Sequence, residues 1–173
     1  VYKRQGRMYD MDRWVRFIQY ASANKSVFAM IVSTDKKRAE EIIRLLGSQS
    51  IPGMVLELCG QNLALAVGSM DLMVGFNLIT EARKGTSLTK LGESLACGVP
   101  FIGSKGIGDS EIILKATGGG CVIDQTHDTE FDRAWRIQER FTSGETLRNN
   151  AEKWLSVKLG VEKYLGVYGR MKA

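Results

Sequence analysis

The residues best suited to chemistry lie in two stretches that each join an apolar run to a helical pattern. The first is Asn77-Leu-Ile-Thr-Glu-Ala-Arg-Lys-Gly-Thr-Ser-Leu-Thr-Lys-Leu-Gly-Glu93, with Arg83, Lys84 and Lys90, several hydroxyls and a glycine. It runs into a helix whose N-terminal amides would attract an anion. The plainer alternative is a solvated basic loop that ends in a Ser or Thr N-cap. The second is Gly103-Ser-Lys-Gly-Ile-Gly-Asp109, whose glycines let the backbone approach a ligand closely and whose following helix start offers exposed amides. Neither is a standard nucleotide fingerprint. Gly106-x-Gly108 leads to Glu111 where GxGxxG needs its third glycine, and the Gly85–Lys90 stretch lacks both GxxxxGK and the following Ser or Thr. A nicotinamide enzyme and a P-loop NTPase are therefore disfavoured.

Other reactive residues are sparse. His127 is the only histidine, so Ser-His-Asp chemistry could use nothing else, and its polar surroundings read as a surface or helix-capping position. Cys59, Cys97 and Cys121 are widely spaced without a CxxC pair, which fits reduced, structural thiols better than a disulfide or zinc site. The sequence shows no cluster of His, Cys and carboxylates with metal-ligand spacing. Gly118-Gly119-Gly120 reads as a helix stop and turn, because it leads into an apolar strand-like run and not into a helix.

The elements that must position these loops follow from hydrophobic periodicity. Met11, Trp14, Val15, Phe17, Ile18 and Ala21 have the spacing of an amphipathic helix over 11–23, with Asp10 as its N-cap. Phe28 to Val32 is a continuous apolar run suited to a strand buried on both faces. A second helix is expected over 35–46, with Ile42, Ile43, Leu45 and Leu46 toward the core and Gly47 as its stop. Strand-like runs at 54–58, 72–76, 99–102 and 121–123 then alternate with helical patterns near 61–68, 88–97, 109–116 and 130–141. This alternation implies an α/β fold, a parallel sheet with helices on both faces. Beyond Gly144 the pattern is helix upon helix, at 146–155 and from 157 onward, with no further strand.

Composition bounds the answer. With 173 residues, 44% hydrophobic and 25% charged, the chain is of ordinary globular make-up, which argues against disorder, collagen-like repeats and a disulfide-dense mini-protein. No apolar run approaches the roughly 20 residues of a spanning helix, and Val1-Tyr-Lys-Arg-Gln-Gly6 lacks a signal-peptide core, so a cytoplasmic location is the default expectation. The net charge of +5 comes from dispersed basic residues, and aromatics are only 8%, which speaks against a nucleic-acid partner. The opening residues are too short and charged for a buried first strand, and the chain is expected to be a fragment cut near it.

The segment Ser87-Leu-Thr-Lys-Leu-Gly-Glu-Ser-Leu-Ala-Cys-Gly-Val-Pro-Phe-Ile102 resembles the signature of the nucleotide-sugar-binding half of GT-B glycosyltransferases, particularly family-four-like enzymes. The Gly106-Ile-Gly-Asp109 loop after it, Gly6-Arg7 near the start and Ser69-Met-Asp71 before the signature are similar to their counterparts in that family, and Trp154, Tyr164 and Tyr168 look like part of its helical tail. The resemblance implies a Rossmann-like nucleotide-sugar-binding domain over 1–144 with a truncated first strand, and a C-terminal helical tail over 145–173.

It also implies an activity: transfer of a sugar from a nucleoside-diphosphate sugar to a glycan, lipid or small-molecule acceptor, retaining and without a required metal or other cofactor. By the same resemblance Glu93 accepts hydrogen bonds from the ribose hydroxyls, Arg7 and Lys90 face the donor diphosphate, and Arg13 is a looser phosphate match. Ser87, Thr89, Gly106, Gly108 and Asp109 complete the implied donor site. Gly85 stands eight residues before Glu93 where the family usually has a second glutamate, which leaves the sugar contact unassigned, and Leu88 replaces a common proline. The implied partners are the nucleotide-sugar donor and a missing N-terminal acceptor-binding domain, with peripheral membrane association open for the full-length protein. Two alternatives stay open: a GT-B-fold nucleotide-sugar epimerase domain, and a non-catalytic basic α/β module that binds nucleic acid or anionic lipid. A glycan phosphorylase would need a pyridoxal phosphate lysine, and nothing marks one.

Overall fold

Alternating apolar and amphipathic stretches produce alternating strands and helices in the computed structural model, which describes residues 9–124 and 129–171. Helix α1 (Met11–Asn24) begins where the Asp10 carboxylate accepts the Arg13 amide at 3.0 Å, the bond that relieves an unpaired N–H of the first turn. Its apolar stripe buries Val15, Phe17, Ile18 and Ala21. Then come β1 (Ala29–Val32), α2 (Lys36–Gly47), β2 (Gly53–Leu56), α3 (Gly60–Gly68) and β3 (Met73–Gly75). A 3-10 turn at Glu81–Arg83 precedes α4 (Thr89–Ala96), β4 (Phe101–Ser104), α5 (Ser110–Thr117), β5 (Gly120–Ile123) and α6 (Thr129–Gln138). Helices α7 (Gly144–Leu155) and α8 (Val157–Met171) end the described chain.

All named strand pairs are parallel, β1 with β2 and β3 with β4 with β5. Among the described residues these two groups are not hydrogen-bonded to each other; they share a core layer instead. On one face Ala29, Phe76, Ile102 and Ile123 meet Val15, Phe17 and Ile18 of α1 and Phe131 and Ala134 of α6. On the other face Phe101 and Val122 meet Leu91 and Leu95 of α4, Ile113 and Leu114 of α5, and Leu147 and Ala151 of α7. Consecutive residues of β4 and β5 thus point to opposite cores, the period of two that a pleated strand imposes. Helices on both faces bury β4 completely and the second half of β5, as expected of a parallel sheet.

Phe101 shows how tightly the sheet is filled. A β-carbon at Gly75 of β3 would stand 2.5 Å from its Cζ, and one at Gly103 would stand 2.9 Å from its Cε1. The ring therefore lies across two positions that only glycine leaves open. Gly118 ends α5 in the left-handed conformation at φ +69°, the stop that the glycine run predicts.

Three expectations are corrected. Phe28 lies outside β1 and is 55% exposed, and Met54 of β2 is 39% exposed, so the β1–β2 pair is only partly covered and not buried on both faces. Leu45 is 48% exposed while Leu46 and Ala39 are buried, because positions seven apart share a helical face and adjacent ones do not. Strand β4 starts at Phe101 and not at Val99, whose amide instead donates to the Ser94 carbonyl behind α4. The two helices after Gly144 differ in environment: α7 contributes to the second core, whereas α8 is exposed throughout 161–170. Phe101→Ala should lower the unfolding free energy by about 3–5 kcal/mol, read from urea midpoints; a loss below ~1 kcal/mol would contradict this packing.

Candidate functional site

Strands β3 and β4 run in parallel register with Gly75 opposite Gly103, so the chain leaves both at the same edge. The carboxyl ends of such strands are where open α/β sheets bind ligands. Just past β3, Asn77 is 3% exposed. Its backbone N–H donates to the Ser104 hydroxyl of β4 at 2.9 Å, the same hydroxyl donates to the Asn77 carbonyl at 3.1 Å, and its side-chain amide lies 3.4 Å from the Gly75 carbonyl as donor. A buried polar side chain must be bonded in this way to avoid a desolvation cost. Its remaining amide oxygen accepts from Arg83 Nη1 at 3.1 Å. The approach to α1 is tied to the same edge, where the Asp10 amide donates to the Phe76 carbonyl and Tyr9 bridges to Asn77.

Beyond this bracket the β3–α4 and β4–α5 loops meet. Gly108, at φ +45°, lies so close to Thr86 that a β-carbon would collide with the Thr86 carbonyl oxygen. Next to it the Ser87 hydroxyl donates to Asp109 Oδ1 at 3.4 Å. Leu88 occupies the N-cap position of α4 and makes no side-chain cap bond, and Asp109, at the N-cap position of α5, makes none either. Both eight-residue helices thus start with amides that no side chain of the loop caps. Ser110, the first residue of α5, has a buried hydroxyl without a hydrogen-bond partner among the described residues.

Ser87, Thr89, Lys90, Glu93, Gly106, Gly108 and Asp109 are all exposed around these two helix starts. On α4, Lys90 Nζ and Glu93 Oε2 are 3.1 Å apart, with side chains 46% and 45% exposed. An exposed pair of this kind contributes little, about 0–1 kcal/mol, so each group can exchange its partner for a ligand.

Arg13 is a correction. It was expected near phosphates, but it is 1% exposed, 5.1 Å from the Phe131 ring centroid and 5.7 Å from that of Phe76, and Nη2 donates to the Asp124 carbonyl. Its spacing in α1 turns it inward, where it ties α1 to the end of β5 through cation–π contact and a charged hydrogen bond. Arg7 and His127 lie outside the described residues. Asn77, Ser104 and the direction of Arg83 escaped the sequence reading; the available signal was a polar residue immediately after the apolar run 72–76.

Elsewhere the titratable groups act as braces. Arg133 forks onto Glu130 and donates to the Val122 carbonyl at 2.9 Å, and the guanidinium holds the Glu130 carboxyl below the usual range. Burial pushes the Cys121 thiol up to about 11, which keeps it protonated and unreactive at neutral pH. Among the described residues no three His, Cys, Asp or Glu side chains converge, and no helix is long and apolar enough to cross a membrane.

No protein-family model matches the chain, and no curated protein matches it. Solved structures do. AviGT4, a glycosyltransferase involved in avilamycin A biosynthesis, superposes with a TM-score of 0.66 at 19% identity, covering 91% of this chain and 46% of its own. The sucrose-phosphate synthase of Thermosynechococcus elongatus superposes with a TM-score of 0.63 at 14% identity, covering 95% and 43%. The fold is that of a GT-B C-terminal-like, Rossmann-like domain, as the 87–102 resemblance implied. The chain spans less than half the length of either structure.

Two variants test this geometry. Gly108→Ala should cost roughly 1–3 kcal/mol and shift the amide resonances of Thr86 and Ser87; an unperturbed Thr86–Ser87 segment would show that the loops are not in contact. Arg13→Ala should cost about 2–4 kcal/mol in chemical denaturation, whereas a change under ~0.5 kcal/mol would mean that Arg13 is a surface cation after all.

Proposed function

We propose that this chain is the donor-binding part of a glycosyltransferase that uses a nucleoside-diphosphate sugar. The observation that carries the reading is the joined pair of helix starts at the carboxyl ends of β3 and β4. There Ser87 is bonded to Asp109, and an exchangeable Lys90–Glu93 pair sits on the first turns of α4. In a domain of this fold, that edge is where a nucleotide is held.

Each residue then has a role set by its chemistry. Glu93, a two-oxygen acceptor fixed on a helix, takes the two ribose hydroxyls. Lys90, released from Glu93, faces the diphosphate, and the uncapped amides of α4 and α5, with Thr89, Gly106 and Gly108 beside them, add partial positive charge. Arg7 retains its proposed phosphate contact by resemblance alone. Arg13 has no part in binding, being enclosed behind β5.

In the transfer itself the bond between the anomeric carbon and the diphosphate oxygen breaks while one from the acceptor oxygen forms. The acceptor proton passes to an oxygen of the departing nucleoside diphosphate, which carries off the released electron pair. Lys90 and the helix-start amides would face that developing charge, which lowers the barrier electrostatically. The reading includes retention of anomeric configuration and stabilisation of the leaving group by these side chains and amides, as the family-four-like resemblance implies. Gly85 offers no carboxylate to the sugar, so its orientation falls to groups outside this loop. The acceptor site is assigned to the part of a longer transferase that this chain does not span, and the isolated chain should bind donor without turnover.

Calorimetric titration with UDP-, GDP- and ADP-sugars tests the proposal. One of them should bind, and Glu93→Ala should weaken it about 10- to 100-fold, the value of two hydrogen bonds to a charged group. No binding to any of the three, or an affinity indifferent to Glu93→Ala, would overturn it.

A further inference from the structure

We infer that Arg83 is an anion-binding side chain of this site, aimed by the buried Asn77–Ser104 bracket, and that it takes a phosphate of the donor diphosphate. The assignment of that phosphate rests on the nucleotide-sugar reading above; the anion site itself rests on the local geometry.

Arg83 differs from the other two cations of its own loop, Lys84 and Lys90, in having no carboxylate partner among the described residues. Lys84 pairs with Glu81 at 2.9 Å and Lys90 with Glu93 at 3.1 Å. On α6, Arg133 pairs with Glu130 and Arg136 with Asp132, each at 2.7 Å. Arg83 instead donates Nη1 to the neutral amide oxygen of Asn77 at 3.1 Å, and among the described residues no carboxylate lies within ion-pairing distance of it. A neutral acceptor fixes the direction of a guanidinium and leaves its full charge uncompensated.

The acceptor is itself fixed. Asn77 and Ser104 are 3% and 0% exposed, and their three mutual and local hydrogen bonds link the ends of β3 and β4. A side chain this well enclosed cannot swing, so the arginine it holds is directed by the sheet and not by the loop. Arg83 is half-buried, which limits its rotamers, and Nη1 spends one of the five guanidinium donors on Asn77. The remaining fork has the planar, bidentate geometry that matches phosphate. The same loop continues to Thr86 and Ser87, which contact Gly108 and Asp109, so the cation belongs to the chain segment that joins the two helix starts.

A purely structural brace would share the Arg83–Asn77 bond but not the response to anions, and the test separates them. The full chain is titrated with inorganic pyrophosphate, with the best-binding nucleoside diphosphate and with the matching nucleoside, while melting temperature is recorded for each variant. Arg83→Ala should weaken pyrophosphate and the diphosphate about 10-fold or more and leave the nucleoside unchanged. Arg83→Lys, which keeps the charge and loses the fork, should fall between. Asn77→Ala should weaken the same two ligands with Arg83 still present, the mark of a positioning residue. Glu93→Ala should do the reverse, weakening the nucleoside and sparing pyrophosphate. If pyrophosphate responds to Arg83 but no nucleoside or nucleotide responds to Glu93, the anion site stands and the nucleotide-sugar reading falls. If Arg83→Ala changes only the melting temperature, or the wild-type chain binds no pyrophosphate, Arg83 is a loop brace and the inference is overturned.

Discussion

The joined site proposed for this molecule depends on the direct contact of two backbone segments, Gly108 against the carbonyl of Thr86. Parallel register makes the loops after β3 and β4 neighbours, but neighbours need not touch. Contact requires a residue without a β-carbon at the meeting point, and it brings Ser87 to Asp109. Asp109 thereby serves the adjacent loop and makes no side-chain cap bond to its own helix. The consequence is chemical: two helix starts face outward with amides that no side chain covers. A larger residue at 108 would force the loops apart.

Rigid and exchangeable parts are arranged at different depths. The platform is rigid because β4 is buried throughout between two cores, and because Arg13, enclosed by Phe76 and Phe131, ties α1 to the end of β5. Asn77 and Ser104 extend that rigidity to the rim. Outside the rim, Lys90 and Glu93 hold each other only through an exposed ion pair, which a ligand can replace at small cost. A binding site needs this combination, since preorganised groups lower the entropic cost of association and weakly paired ones can be given up.

Much of the fold was legible. The apolar stripes of α1, the N-cap Asp10 and the glycine stop at 118 are local features, fixed by residues within a turn of each other, and they match the structure. Phe28 and Leu45 misled because apolar character reports an available surface and not whether anything covers it. Arg13 misled for a related reason: charge in sequence suggests exposure, yet two aromatic faces and a carbonyl make an interior position acceptable. The candidate loops were recognisable from their glycines, hydroxyls and cations. Their contact was not, since it joins residues more than twenty positions apart through backbone geometry that no motif encodes. Asn77 was invisible as a bracket for the same reason, its partner Ser104 being 27 residues away.

The most direct test of the shared site is a map of amide chemical-shift changes on the full chain as a nucleoside diphosphate is added. The account predicts that the changes concentrate at 77, 83–93 and 104–111, with residues of both loops moving at the same ligand concentrations. Changes confined to one loop, or centred on the half-covered β1–β2 pair, would contradict it.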